Sequence, residues 1–196
     1  MNVLLGVTGG IACYKACEVV RLFRRADHGV RVVMTANARR FVTALTFEAL
    51  SNNPVATDMW AAGHQHDVEH IELAKWAEVA VIAPATANFL GKVAHGIADD
   101  LLTTVVMALP AAVPVVIAPA MNTQMWLNPI LRRNIESLRA LERYHFVPPR
   151  VAQLACGDTG TGALATPEAI FERVLAYAGG GQEGNPTCRS RPEGIG

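Results

Sequence analysis

Four short, almost continuously apolar runs constrain this chain most: Val3 to Val7, Val30 to Met34, Val79 to Ala83 and Val113 to Ala118. A strand that is apolar at successive positions is covered on both faces, because successive side chains point to opposite sides of a sheet. Between the runs, apolar residues recur at helical spacing instead. Ile11, Cys13, Ala16, Val19, Val20 and Phe23 do so up to Arg25. Strand alternating with helix predicts an α/β fold in three layers, a parallel sheet with helices on both faces.

The same reading predicts a helix opening at Thr35-Ala36-Asn37 and running through Phe41 and Leu45, with a further turn from Phe47 to Leu50. It predicts a loop from Asn52 to Gln65, then helices over Val68 to Trp76, Phe89 to Ala94, Asp99 to Leu109, Ile130 to Leu141 and Pro167 to Tyr177, with a short strand at His145 to Val147. No internal repeat interrupts this order. The 196 residues suit one domain, expected over residues 1–178. Residues 179–196, rich in Gly, Pro and charge, are expected to be a disordered tail.

Hydrophobic residues make up 51% of the chain and charged ones 17%, so it buries much of itself or hides surface in an oligomer. The net charge is zero and no basic run occurs, which argues against nucleic acid as a partner. Four scattered cysteines, Cys13, Cys17, Cys156 and Cys188, make no disulfide scaffold and read as reduced thiols of a cytoplasmic protein. The stretch from Leu101 to Gln124 is uncharged, but Pro110, Pro114 and Pro119 divide it into a buried helix and a buried strand rather than a membrane span.

Ligands of open parallel sheets bind beyond the carboxyl ends of the strands. Three loops there have unusual composition. Gly6-Val7-Thr8-Gly9-Gly10-Ile11 is small enough for backbone N–H groups to approach a phosphate at a helix N-terminus; a glycine turn that merely packs is the alternative. Its glycine spacing is not the dinucleotide fingerprint, and Met34-Thr35 offers no carboxylate for a ribose, so FMN fits better than NAD. Pro84-Ala85-Thr86-Ala87-Asn88 combines small residues with a hydroxyl and an amide, as a ligand loop or as a proline turn with a helix cap. Pro119 to Trp126 sets Asn122 among apolar residues, some of which are core by another reading.

His70 stands at the start of a helix and suits a base or acid near neutral pH. His66 and His70, four apart, have zinc-pair spacing, but no third ligand is clearly supplied, so no metal is expected. Cys156 lies within Leu154 to Gly162, a glycine-rich flexible segment, as a proton donor or nucleophile on a flap or as a tolerated loop cysteine.

Together the segments Gly6 to Ala12, His70 to Ala77, Ala83 to Asn88, Gly96 to Leu102, Pro119 to Trp126 and Ala155 to Gly162 resemble the flavin-containing cysteine decarboxylases, in register from about Asn2 to Leu175. The resemblance implies a flavodoxin-like, Rossmann-like fold and a homo-oligomer, a trimer or multiple trimers up to a homododecamer, with FMN at subunit contacts. By motif, Gly9, Gly10, Ile11, Thr35, Phe41, Pro84, Ala85, Thr86, Ala87 and Ala120 would contact FMN. Asn122 would hold the substrate carboxylate, with Met125, Ala155 and Gly157 also at the substrate, and His70 and Cys156 would be catalytic.

The implied activity is decarboxylation of 4'-phospho-N-pantothenoylcysteine to 4'-phosphopantetheine in coenzyme A biosynthesis. A cysteine carboxylate has no electron sink, and oxidation at its β-carbon by flavin makes a thioaldehyde that is one. Loss of carbon dioxide leaves an enethiolate, which Cys156 would protonate as the hydride returns. Relatives acting on the C-terminal cysteine of a peptide stop at the enethiol and lack the cysteine motif, so Cys156 favours the redox-neutral reaction. A non-catalytic FMN-binding regulatory subunit is the reading of another class.

Overall fold

The computed structural model describes residues 1–60, 69–153, 157 and 159–178. Six strands form the main sheet: β1 (Asn2–Val7), β2 (Gly29–Met34), β3 (Val55–Ala56), β4 (Val79–Ala85), β5 (Val115–Pro119) and β6 (Tyr144–Phe146). Their order is β3-β2-β1-β4-β5-β6, and every neighbouring pair is parallel. Without the two-residue edge strand β3, this is the doubly wound order of flavodoxin-like folds.

Strand alternation sorts the core into two layers. Val3, Leu5 and Val7 face α1 (Cys13–Arg25), α2 (Ala44–Ser51) and α8 (Pro167–Ala178). Leu4 faces the other way, toward α3 (Glu69–Trp76), α4 (Ala87–Ala94), α5 (Leu101–Ala108), α6 (Thr123–Leu127) and α7 (Pro129–Arg139). Gly6 belongs to this second layer: a Cβ there would meet Leu102 Cδ1 at 2.6 Å and Ile82 Cδ1 at 2.7 Å. It is therefore a packing glycine that lets α5 lie close to the sheet.

The structure corrects four expectations. The helix expected from Thr35 through Leu45 is instead a 3-10 turn at Ala38–Arg40 and a separate α2. Thr43 breaks it in extended conformation, with φ −74° and ψ 152°, a geometry that suits a β-branched residue. The loop expected after Asn52 contains β3, where Val55 pairs beside Val32. The loop after β5 winds into α6. Finally, the glycine-rich segment expected to be flexible contributes a strand: β7 (Arg150–Gln153) and β8 (Thr159–Ala163) pair antiparallel as a second sheet. The expected tail, 179–196, lies outside the described residues.

The uncharged stretch divides as expected, into α5 and β5, and no helix among the described residues is long and apolar enough to cross a membrane. Cys13 is buried and Cys17 half-buried on α1, and burial pushes both thiols above their ordinary pKa.

Candidate functional site

β1 and β4 are neighbours at the point where the winding of the sheet reverses, so the loops after them face one crevice. Both the N–H and the hydroxyl of Thr8 donate to the carbonyl of Pro84, at 3.3 and 2.7 Å, joining the two loops. Thr86 then caps α4, its hydroxyl accepting from Phe89 N–H at 3.4 Å.

Two cavities flank the Gly9-Gly10 turn. One, of about 430 Å³, is walled by Gly9 and Thr8, by Thr35 to Asn37, and by Thr86 to Phe89, with Lys92, Asp100 and Met125 completing it. Its polar groups are mostly hydroxyls and amides. Lys92 bridges Asp99 at 2.6 Å and Asp100 at 3.0 Å. Burial opposes the lysine charge, but these two carboxylates outweigh it and hold the ammonium above its ordinary pKa. Burial likewise opposes ionisation of Asp100. The Thr103 N–H, Lys92 and the Thr103 hydroxyl prevail, leaving Asp100 below the usual carboxylate range.

The second cavity, of about 540 Å³, opens beside the start of α1. Gly10, Ile11 and Ala12 line one side with Tyr14 and Lys15, and Ala120, Met121 and Asn122 line another. Gln153 of β7 and Gly162 to Leu164 at the end of β8 close it. Asn122 Oδ1 accepts from Gln124 N–H at 2.8 Å, which fixes the orientation of its amide at the head of α6.

These surroundings fit a phosphorylated flavin. A Cβ on Gly9 would stand 2.3 Å from Asn37 Cβ, so only glycine permits this close approach of two loops. A Cβ on Gly10 would meet nothing nearer than Thr86 Cγ2 at 3.8 Å, so its backbone faces open space. No side chain caps α1 and no acidic residue occupies its first turn, which leaves the positive end of the helix to an anion.

The structure brings together most of the residues singled out from sequence. Gly9, Thr35, Thr86, Ala87 and Met125 line the first cavity, and Gly10, Ile11, Ala120 and Asn122 the second. Pro84 and Ala85 are buried beneath, Ala85 O accepting from Ala120 N–H at 3.1 Å. Phe41 is exposed and lines neither cavity. Gly157 is exposed with φ +91°, its carbonyl accepting from Gln153 Nε2 at 3.4 Å. Ala155, Cys156 and His66 lie outside the described residues.

His70 is apart from these groups. It lies in the first turn of α3, on the sheet face opposite α1, and lines neither cavity. The sequence reading passed over Lys15 and Tyr14. The usable signal was that both fall in the first turn of the helix that the glycine turn opens.

Comparison with known proteins agrees with this geometry. The chain is 48% identical over 171 residues to the coenzyme A biosynthesis bifunctional protein CoaBC of Bacillus subtilis strain 168, covering 87% of this chain but only 41% of that protein. The chain thus spans well under half the length of that relative. It is 42% identical to the "probable phosphopantothenoylcysteine decarboxylase" of Streptococcus mutans strain UA159, covering 88% of this chain and 96% of that one. Among solved structures, a PPC decarboxylase mutant complexed with pantothenoylaminoethenethiol superposes with a TM-score of 0.81 at 37% identity, covering 90% of this chain and 97% of that one. The FMN-dependent cysteine decarboxylase SpaF does so with a TM-score of 0.78 at 36% identity, covering 91% and 97%. The family described as Flavoprotein matches residues 1–179, and the chain belongs to that family.

Proposed function

We propose that this chain is an FMN-dependent decarboxylase that converts 4'-phospho-N-pantothenoylcysteine to 4'-phosphopantetheine. The observation that carries this reading is the 540 Å³ cavity, where the glycine turn, Asn122, Lys15 and the β7–β8 hairpin converge. The similarity to the CoaBC and PPC decarboxylase proteins supports the substrate, and the similarity to SpaF supports FMN.

FMN bound there would accept the hydride of the carbon beside the substrate sulfur and would give it back after decarboxylation, so that the conversion is redox-neutral. Gly9, Gly10, Thr35, Thr86, Ala87, Ile11 and Ala120, which line the two cavities, would hold it. Asn122 and Lys15 bind the substrate carboxylate in the second cavity and orient it for loss. His70 takes the thiol proton. After carbon dioxide leaves, Cys156 gives a proton to the carbon that carried it.

His70 lines neither cavity of its own chain, which supports a homo-oligomer in which one copy brings His70 to another's cavity. The apolar residues Ile11, Tyr14 and Leu45 exposed around α1 and α2 support the same assembly.

Anaerobic mass spectrometry of products tests the reading, using wild type and Cys156→Ser with phosphopantothenoylcysteine. Phosphopantetheine from wild type and an oxidised enethiol from the variant are expected. A flavin-loaded wild type that leaves this substrate intact, yet decarboxylates a peptide ending in cysteine, would overturn the substrate assignment.

A further inference from the structure

We infer that Thr8 is a positioning residue for the flavin, the single side chain that sets the spacing of the loops around it. This rests on the flavin reading above. Thr8 directly follows the central strand β1 and is 1% exposed, although it forms part of the smaller cavity's wall. The one hydroxyl proton goes to Pro84 O at 2.7 Å, and a lone pair accepts the N–H of Thr86 at 3.0 Å.

The remaining polar groups of Thr8 are engaged as well. Its N–H reaches Pro84 O at 3.3 Å, and its carbonyl accepts the Cys13 thiol at 2.9 Å. One residue earlier, Val7 O accepts Thr35 N–H at 3.1 Å. Two residues at the tip of β1 therefore bind three ligand loops: the one opening α1, the one after β2 and the one after β4. The link to the Thr86 N–H depends on the Thr8 side chain. Thr86 also caps α4, so the Thr8 hydroxyl fixes both the height of the loop after β4 and the direction in which α4 leaves it.

Valine has the shape of threonine without the hydroxyl. Thr8→Val leaves the half-buried Thr86 N–H without its acceptor, and the loop after β4 is released to seek another. Thr8→Ser keeps the hydroxyl and loses only a methyl group.

The test is FMN binding to the flavin-stripped full-length protein, followed by fluorescence quenching, beside the melting temperature without FMN. Thr8→Val should weaken FMN binding by about ten-fold or more, while Thr8→Ser stays within about two-fold of wild type. The shoulders of the bound-flavin absorption band should also blur in the valine variant. An unchanged affinity in Thr8→Val overturns the inference. So does equal weakening in both variants, which would assign the effect to the methyl group, or a lower melting temperature with wild-type affinity, which would mark a merely structural threonine. Should Thr8→Val fail to fold, Thr8→Cys, a weaker hydrogen-bonding group of similar size, takes its place with the same criteria. A wild type that binds no FMN would instead sink the flavin reading itself.

Discussion

The backbone N–H of Met121 donates to the carbonyl of Gly162 at 2.9 Å, fastening the β7–β8 hairpin to the loop that presents Asn122. Gly162 has φ +150°, and a Cβ there would stand 2.2 Å from Met121 O. Gly162→Ala must therefore push the two apart. Since a misplacement of about 1 Å can cost about 100-fold in rate, this variant should lose about that much turnover while retaining its flavin. Steady-state kinetics beside flavin absorbance check this, and full turnover would show that the hairpin's seat is irrelevant.

That His70 lines neither cavity of its own chain makes a different kind of prediction. His70→Asn and Asn122→Asp should each abolish turnover alone. Mixed under conditions that exchange subunits, they should regain about a quarter of wild-type activity if each site takes the two residues from different copies. Persistent inactivity in demonstrably mixed oligomers would place both residues in the same chain's site.

Asp100 begins α5 with a reciprocal cap, its side chain accepting from Thr103 N–H while the Thr103 hydroxyl accepts from Asp100 N–H. Losing such a cap costs about 1 kcal/mol, so Asp100→Ala should lower the melting temperature at neutral pH by about 2–4 °C. Because the folded pKa of Asp100 lies below its ordinary 3.8, the carboxylate's contribution is present above that value and is lost as pH falls through the folded pKa. The difference between variant and wild type should shrink correspondingly in strong acid, as calorimetry across pH would reveal.

His145 stacks on Tyr177 of α8, with ring centroids 3.6 Å apart and planes at 11°. Burial first, then Arg173, lowers its pKa below the ordinary 6.5. The unfolded chain thus binds this proton more readily, and stability should fall as pH drops below 6.5. His145→Phe keeps a ring at this position without the titration, and should flatten that part of the stability curve. Melting temperatures between neutral and mildly acidic pH decide it; parallel curves would refute the assignment.

What the sequence made legible was whatever depends on near neighbours along the chain. Val3 to Val7 and Val79 to Ala83 read as strands because burial on both faces demands apolar residues at every position. Asn122 stood out because an amide among Pro119, Met121 and Trp126 is unusual. β3 escaped notice because two residues, Val55 and Ala56, carry no period. β8 escaped because its glycines disfavour a strand locally and answer to a distant partner: a Cβ on Gly160 would meet Thr123 Oγ1 at 2.3 Å. Lys15 looked like an ordinary helix surface cation, and only the folded chain sets it in one cavity with Gln153 and Gly162. The position of His70 relative to Asn122 was equally hidden, since the face on which a helix packs is a property of the assembled sheet.

The bond between Thr8 and Pro84 spans 76 residues of sequence, and its consequence lies in the order of events on the ribosome. The glycine turn emerges early, yet its counterpart cannot join it until β4 has been synthesised and has paired with β1. Contacts this distant in sequence form slowly, because the intervening chain must first surrender its freedom. A nascent chain shorter than β4 therefore has no place for a flavin, and capture of the cofactor would date the moment at which the centre of the sheet closes.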